Sequence, residues 1–183
     1  MTLFFYLLIA FITFIAFLHA WAKKSYDVSR TVVINAPREV IFSFVRQLKK
    51  QPAWVPWFIK VSDAKLKFKG EDGKTGATFY WKGDNRKVGE GTQKIIKVKA
   101  PKVFETRLLF VSPIKLRIFT YFAVKELEPG KSKVVCGVKG HLPFPLSVMS
   151  IFYSPEKLWA AGFEKSLNNL KTRMEMKVSK AKA

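Results

Sequence analysis

The sequence predicts an α+β architecture: a strongly curved antiparallel sheet of about seven strands wrapped on one long C-terminal helix, with a single transmembrane helix before it. Three observations carry this reading. Leu3 to Trp21 is apolar except for Thr13 and His19 and contains no charge. Between Val28 and Lys139 most segments alternate apolar and polar side chains and are cut by turn residues. From Pro155 to Val178 the period becomes helical, with Phe163, Leu167, Leu170 and Met174 on one side and Lys165, Ser166, Asn168, Asn169, Lys171 and Arg173 on the other.

The N-terminal run has the length to cross a bilayer core as one helix, roughly nineteen residues. A cleaved signal peptide is the competing reading, because Ala20-Trp21-Ala22 loosely resembles a small-residue cleavage site. The run has no basic segment ahead of its apolar core and is long for such a peptide, so residues 1–22 are expected to stay as an anchor. Lys23, Lys24 and Arg30 follow at once. Positive charge is retained on the cytoplasmic side, which predicts a single-pass protein of the cell membrane with its soluble domain in the cytoplasm.

Val28 to Asn35 is β-branched and alternating, a half-buried first strand. Asn35, Ala36 and Pro37 then start a helix whose apolar face is Val40, Ile41, Phe44, Val45 and Leu48. Two prolines and two tryptophans in Gln51 to Trp57 predict a separate short turn, with Trp54 and Trp57 as core residues or at a cavity mouth. Period two begins beyond Ile59, where Ala64, Leu66 and Phe68 alternate with lysines, and Glu71 to Lys74 turns the chain. Further strands are expected at 77–81, 92–98, 103–110, 114–127 and 133–139, with turns at Gly83-Asp84-Asn85, Pro101, Ser112-Pro113 and Pro129-Gly130. Ser154 and Pro155 cap the long helix and occupy its first turn. Hairpin links make the sheet antiparallel, and one large helix remains to cover its apolar face. The large side chains Phe79, Trp81, Phe104, Leu108, Phe110, Phe119 and Tyr121 are expected to point inward, opposite Phe163, Leu167, Leu170 and Met174. Whether they fill the space or leave an apolar cavity depends on volumes that strand patterns do not contain.

Thirty-three basic and thirteen acidic residues give a formal charge of +20, and no charged side chain precedes Lys23, so the whole excess belongs to the soluble domain. An anionic partner surface is expected, with membrane headgroups first, against the plainer alternative that lysines solvate the outer face. Cys136 is the only cysteine, which excludes an intrachain disulfide and a cysteine metal cluster. Basic residues spread over strands are not a nucleic-acid recognition motif, so no specific nucleic-acid partner is expected.

Several phrases match a known family. Thr31 to Phe42 (TVVINAPREVIF), Trp54-Val-Pro-Trp57, Tyr80 to Gly83, Gly89 to Thr92 and Gly162 to Lys171 together resemble the polyketide cyclase/dehydrase and lipid transport family of the START-like, Bet v 1-like (SRPBCC) superfamily. The resemblance implies a helix-grip domain over residues 26–178, followed by a basic tail at 179–183, in which helix and sheet enclose a hydrophobic cavity. Family members bind lipids, sterols, quinones or aromatic products, and a minority catalyse cyclisation or dehydration. The implied ligand-cavity residues are Trp54, Trp57, Phe79, Trp81, Phe104, Leu108, Phe119, Tyr121, Phe163, Leu167, Leu170 and Met174. The resemblance transfers no catalytic residue, cofactor or metal.

No metal-ligand spacing, phosphate-binding glycine loop or nucleophile elbow occurs. Glu90, Glu105, Arg107, His141 and Glu164 are the isolated polar candidates; cyclisation would require one of them inside the cavity. Their expected places are a loop or rim for His141, an outward pair for Glu105 and Arg107, and a charge network beside Lys157 or Lys165 for Glu164. The leading expectation is a noncatalytic, membrane-anchored domain that holds, presents or transfers a hydrophobic or amphipathic small molecule. A cyclase-type enzyme and a structural or regulatory subunit of a membrane assembly are the alternatives, and the sequence names no protein partner.

Overall fold

The computed structural model describes residues 1–56, 65–83, 89–112, 115–152 and 154–182. In chain order these form α1 (Thr2–Trp21), β1 (Ser25–Ile34), α2 (Arg38–Val45), a 3-10 turn (Leu48–Ala53), β2 (Lys65–Lys69), β3 (Thr78–Lys82), β4 (Glu90–Lys99), β5 (Val103–Ser112), β6 (Leu116–Glu128), β7 (Lys131–His141), the single-turn α3 (Leu146–Met149) and α4 (Pro155–Lys182). All seven strands join one antiparallel sheet in the order β1-β7-β6-β5-β4-β3-β2. Hairpins link β2 through β7 in sequence, and the two helical pieces after β1 carry the chain to the far edge.

Alternation assigns the two faces. On β5 and β6 the buried side chains are Phe104, Thr106 and Leu108, then Ile118, Thr120, Phe122 and Val124. Register places Phe104 beside Phe122, Thr106 beside Thr120 and Leu108 beside Ile118. Phe119 and Tyr121 have the other parity and face outward, which corrects their expected inward position. The reason lies across the ladder. Tyr121 pairs with Gly137, whose missing side chain leaves a groove on the outer face that the tyrosine ring covers. Its hydroxyl donates to Asp27 Oδ1 at 2.9 Å, and the Lys139 ammonium lies 5.9 Å from the ring centre.

Helix α4 lies along β1 in the same direction. Arg30 binds Glu164 at 2.9 Å and Glu156 at 3.3 Å, Lys171 donates to the Val33 carbonyl at 2.8 Å, and the Asn35 amide donates to Glu175 at 2.9 Å. Phe163, Leu167, Leu170 and Met174 are all buried against the sheet. Burial of each contributes about 1.5–3 kcal/mol, so this face, more than propensity, holds the helix in place. Ser179 to Lys182, expected as a tail, continue the helix.

Candidate functional site

The 3-10 turn decides what lies between helix and sheet. Its N-terminal amides on Leu48 and Lys49 are capped by Asp72 of the β2–β3 turn, at 2.7 and 3.2 Å. At its other end Asn169 and Arg173 of α4 donate to the carbonyls of Trp54 and Ala53, at 3.1 and 3.2 Å. Held from both sides, the turn drives Trp54 fully into the core, edge-on to Phe122 with ring centres 5.5 Å apart. Phe122 stacks on Phe104 at 5.1 Å, and Phe42 of α2 meets Phe104 edge-on at 6.2 Å. Aromatic packing therefore fills most of the concave face.

A small internal void of about 20 Å³ of water-accessible space remains, where Gln51, Trp54 and Val55 face Gln93, Leu108, Thr120, Phe122 and Cys136 of the sheet and Phe163 and Ser166 of α4. This is room for about one water molecule. The residues around it carry several buried polar atoms. Gln51 Oε1, Trp54 Nε1 and Gln93 Oε1 are buried and have no hydrogen-bond partner, although such groups are nearly always satisfied. Gln93 Nε2 donates to Thr106 Oγ1 at 3.1 Å, and Thr106 and Thr120 share a 2.7 Å hydroxyl contact. Ser166 turns its hydroxyl back onto the Gly162 carbonyl at 2.7 Å. The surface that bounds the void is nevertheless apolar, so these polar atoms stand in the surrounding wall without reaching its open space. Burial pushes the Cys136 thiol well above its usual range, so it stays protonated and inert there.

Of the expected cavity residues, Trp54, Leu108 and Phe163 line this void. Phe79, Trp81, Phe104, Leu167, Leu170 and Met174 are buried in the same core without lining it. Trp57 lies outside the described residues. Ser166, expected on the solvent face of α4, is buried at the void. Gln51, Gln93, Thr106 and Thr120 were not singled out by sequence; the available signal is one polar residue in the middle of each inward-facing row, Gln93 between Gly91 and Ile95, Thr106 between Phe104 and Leu108, and Thr120 between Ile118 and Phe122.

The isolated polar candidates lie elsewhere. Glu105 faces outward and binds Lys97 at 3.3 Å, not Arg107, which shares its face. Glu164 joins Arg30 and not a neighbouring lysine. Glu90 accepts from the Tyr80 hydroxyl at 2.7 Å and lies 3.5 Å from Lys82; that hydrogen bond, and then the lysine charge, hold its carboxyl below the usual range. His141 is exposed at the end of β7. Among the described residues no cluster of histidine, cysteine and carboxylates could hold a metal.

Known structures share this arrangement. A protein from Nitrosospira multiformis superposes with a TM-score of 0.58 at 14% identity, over 81% of this chain and 96% of that one. The di-domain ARO/CYC StfQ from the steffimycin biosynthetic pathway gives a TM-score of 0.64 at 9% identity, over 85% of this chain and 52% of that one, so this chain spans about half of it. Ara h 8.0201 gives 0.51 at 12% identity, over 80% and 97%. These likenesses establish the helix-grip fold. No curated protein matches the chain in sequence. The model of the polyketide cyclase/dehydrase and lipid transport family matches residues 25–175, and the chain belongs to that family.

Proposed function

We propose that this protein is a membrane-anchored carrier domain that binds a hydrophobic or amphipathic small molecule, such as a lipid or quinone, and holds, presents or transfers it. The observation that supports this most directly is the set of unpartnered polar atoms around the void, Gln51 Oε1, Trp54 Nε1 and Gln93 Oε1. Once the wall parts to uncover these atoms, an apolar molecule with a carbonyl or hydroxyl group at one end would give the indole N–H an acceptor and the amides a donor. Entry requires the 3-10 turn and α4 to move apart, because the space in the closed form is only about 20 Å³. Among the described lining residues the sole titratable group is the buried Cys136 thiol. That wall suits binding better than proton transfer.

The test is extraction of copurifying small molecules from the full chain in detergent, with identification by mass. A stoichiometric apolar compound with an oxygen-bearing end is expected. Trp54→Phe keeps a six-membered aromatic ring in place but removes the donor, and a lost hydrogen bond of about 1 kcal/mol predicts roughly fivefold less retained ligand. A chain that is consistently empty, including after incubation with membrane extract, overturns the reading.

A further inference from the structure

The chain between β7 and α4 has no charged residue from Leu142 to Ser154, the longest uncharged run after α1. Its apolar side chains are not used in the core. Phe144, Met149, Ile151 and Phe152 are 59%, 50%, 46% and 72% exposed. This segment sits against the end of α1. His19 Nδ1 contacts Ser147 Oγ at 2.8 Å, and the His19 and Phe144 rings meet edge-on at 5.6 Å. Along α1 the half-buried side chains are Ile15, Leu18 and His19, one stripe at helical spacing.

His19 is three residues before Ala22, so Phe144 and Ser147 lie beside the last turn of α1, about 4.5 Å along its axis. A groove of about 420 Å³ at the same level runs between Trp21, Lys23 and Tyr26 on one side and Ser150, Ile151 and Pro155 on the other. Charge changes abruptly at this boundary. Lys23, Lys24, Lys115, Arg117 and Lys157 flank the uncharged segment at the same end of the sheet, in the arrangement of an interfacial element with apolar residues inserted and cations at headgroup depth.

We infer that residues 142–152 form a second membrane contact, inserted into the leaflet that α1 leaves, so that this end of the sheet is held flush with the bilayer. The occupant of the exposed apolar surface is lipid at the boundary between headgroups and acyl chains, about 5–10 Å deep. Lipid is favoured by continuity, since the segment is packed on an uncharged helix with no buried residue and the length to span, about 30 Å. The inference rests on the reading of α1 as a membrane span, and it would let a ligand pass between leaflet and domain without crossing water.

The full chain, reconstituted in vesicles, tests it. Cys136 is buried, so Phe152→Cys and Phe144→Cys each provide a single accessible thiol for an environment-sensitive fluorophore, with the unsubstituted chain as the control for background labelling. Lys102→Cys marks the exposed β4–β5 turn at the opposite end of the sheet, and Phe11→Cys marks the middle of α1. Probes at 144 and 152 are expected to emit to the blue of the probe at 102 and to be quenched by lipids carrying a shallow spin label; the probe at 11 is expected to be quenched by a deep label. If 11 is quenched while 144 and 152 match 102, the segment lies in water and the inference falls while the anchor stands. Blue-shifted emission at 144 and 152 without lipid quenching means that protein covers them, a second copy or another chain, and also overturns it. Loss of quenching at 11 overturns the anchor and this inference together, whereas ligand extraction would be unaffected.

Discussion

Gly91 has no room for a side chain. It lies on the inward face of β4 opposite Phe110, where an added Cβ would come within 2.5 Å of the Trp81 ring and 2.7 Å of the Leu109 carbonyl oxygen. Trp81 is packed on Phe110 and Phe79, and the carbonyl belongs to the ladder, so neither neighbour can move freely. Gly91→Ala is expected to cost about 1–3 kcal/mol, read as a lower urea midpoint with an unchanged slope. An unaltered midpoint would mean that Trp81 does not pack over this backbone. Trp54, Leu108 and Phe163 were identifiable as large residues on apolar faces. Phe119 and Tyr121 were equally large, and β6 carries apolar residues on both faces, so its pattern alone did not say which side was inward. That information is held by Gly137 on the next strand, through a register that only the folded sheet defines. Gln51 and Gln93 were overlooked for a related reason: in sequence a buried glutamine is indistinguishable from one that faces water.

Among the elements, α4 was the most legible, because four apolar residues at helical spacing and a first-turn proline are local signals. Its stability depends on the sheet beneath it. Leu170 is fully buried on this face, and Leu170→Ala is expected to destabilise the protein by about 2–5 kcal/mol, whereas Lys165→Ala on the exposed face should stay within about 0.5 kcal/mol. Denaturant titration of both variants checks this, and equal losses would contradict the placement of the helix. The two prolines of Gln51 to Trp57 signal a break, but the 3-10 turn already begins at Leu48, which the apolar pattern assigns to the preceding helix, and its part as a plug has no local signal. Its anchors, Asp72, Asn169 and Arg173, lie at distant positions in the chain. The turn therefore controls cavity volume through contacts that no local pattern encodes.

For the molecule as a whole, the dominant quantity is charge. Thirteen carboxylates cannot neutralise thirty-three cations, and the pairs that form, such as Lys97–Glu105 and Lys82–Glu90, are partly exposed and contribute little each. The excess repels itself across a small domain, and the range of that repulsion is set by salt, with a screening length of about 30 Å at 0.01 M and about 10 Å at 0.1 M. Added sodium chloride should therefore raise the thermal midpoint of the full chain in neutral-lipid nanodiscs, opposite to the trend for a protein whose surface pairs dominate. If the domain lies on the bilayer as proposed, anionic lipid would place compensating charge beside Lys23, Lys24 and Arg117 and should raise the midpoint at low salt by the same physical route. The two effects share one cause, so they should not add: the increment from anionic lipid should shrink as salt rises. A midpoint that falls with salt, or a lipid increment that survives at high salt, would show that the basic surface is not acting as a field and that particular residue-to-lipid contacts must be sought instead.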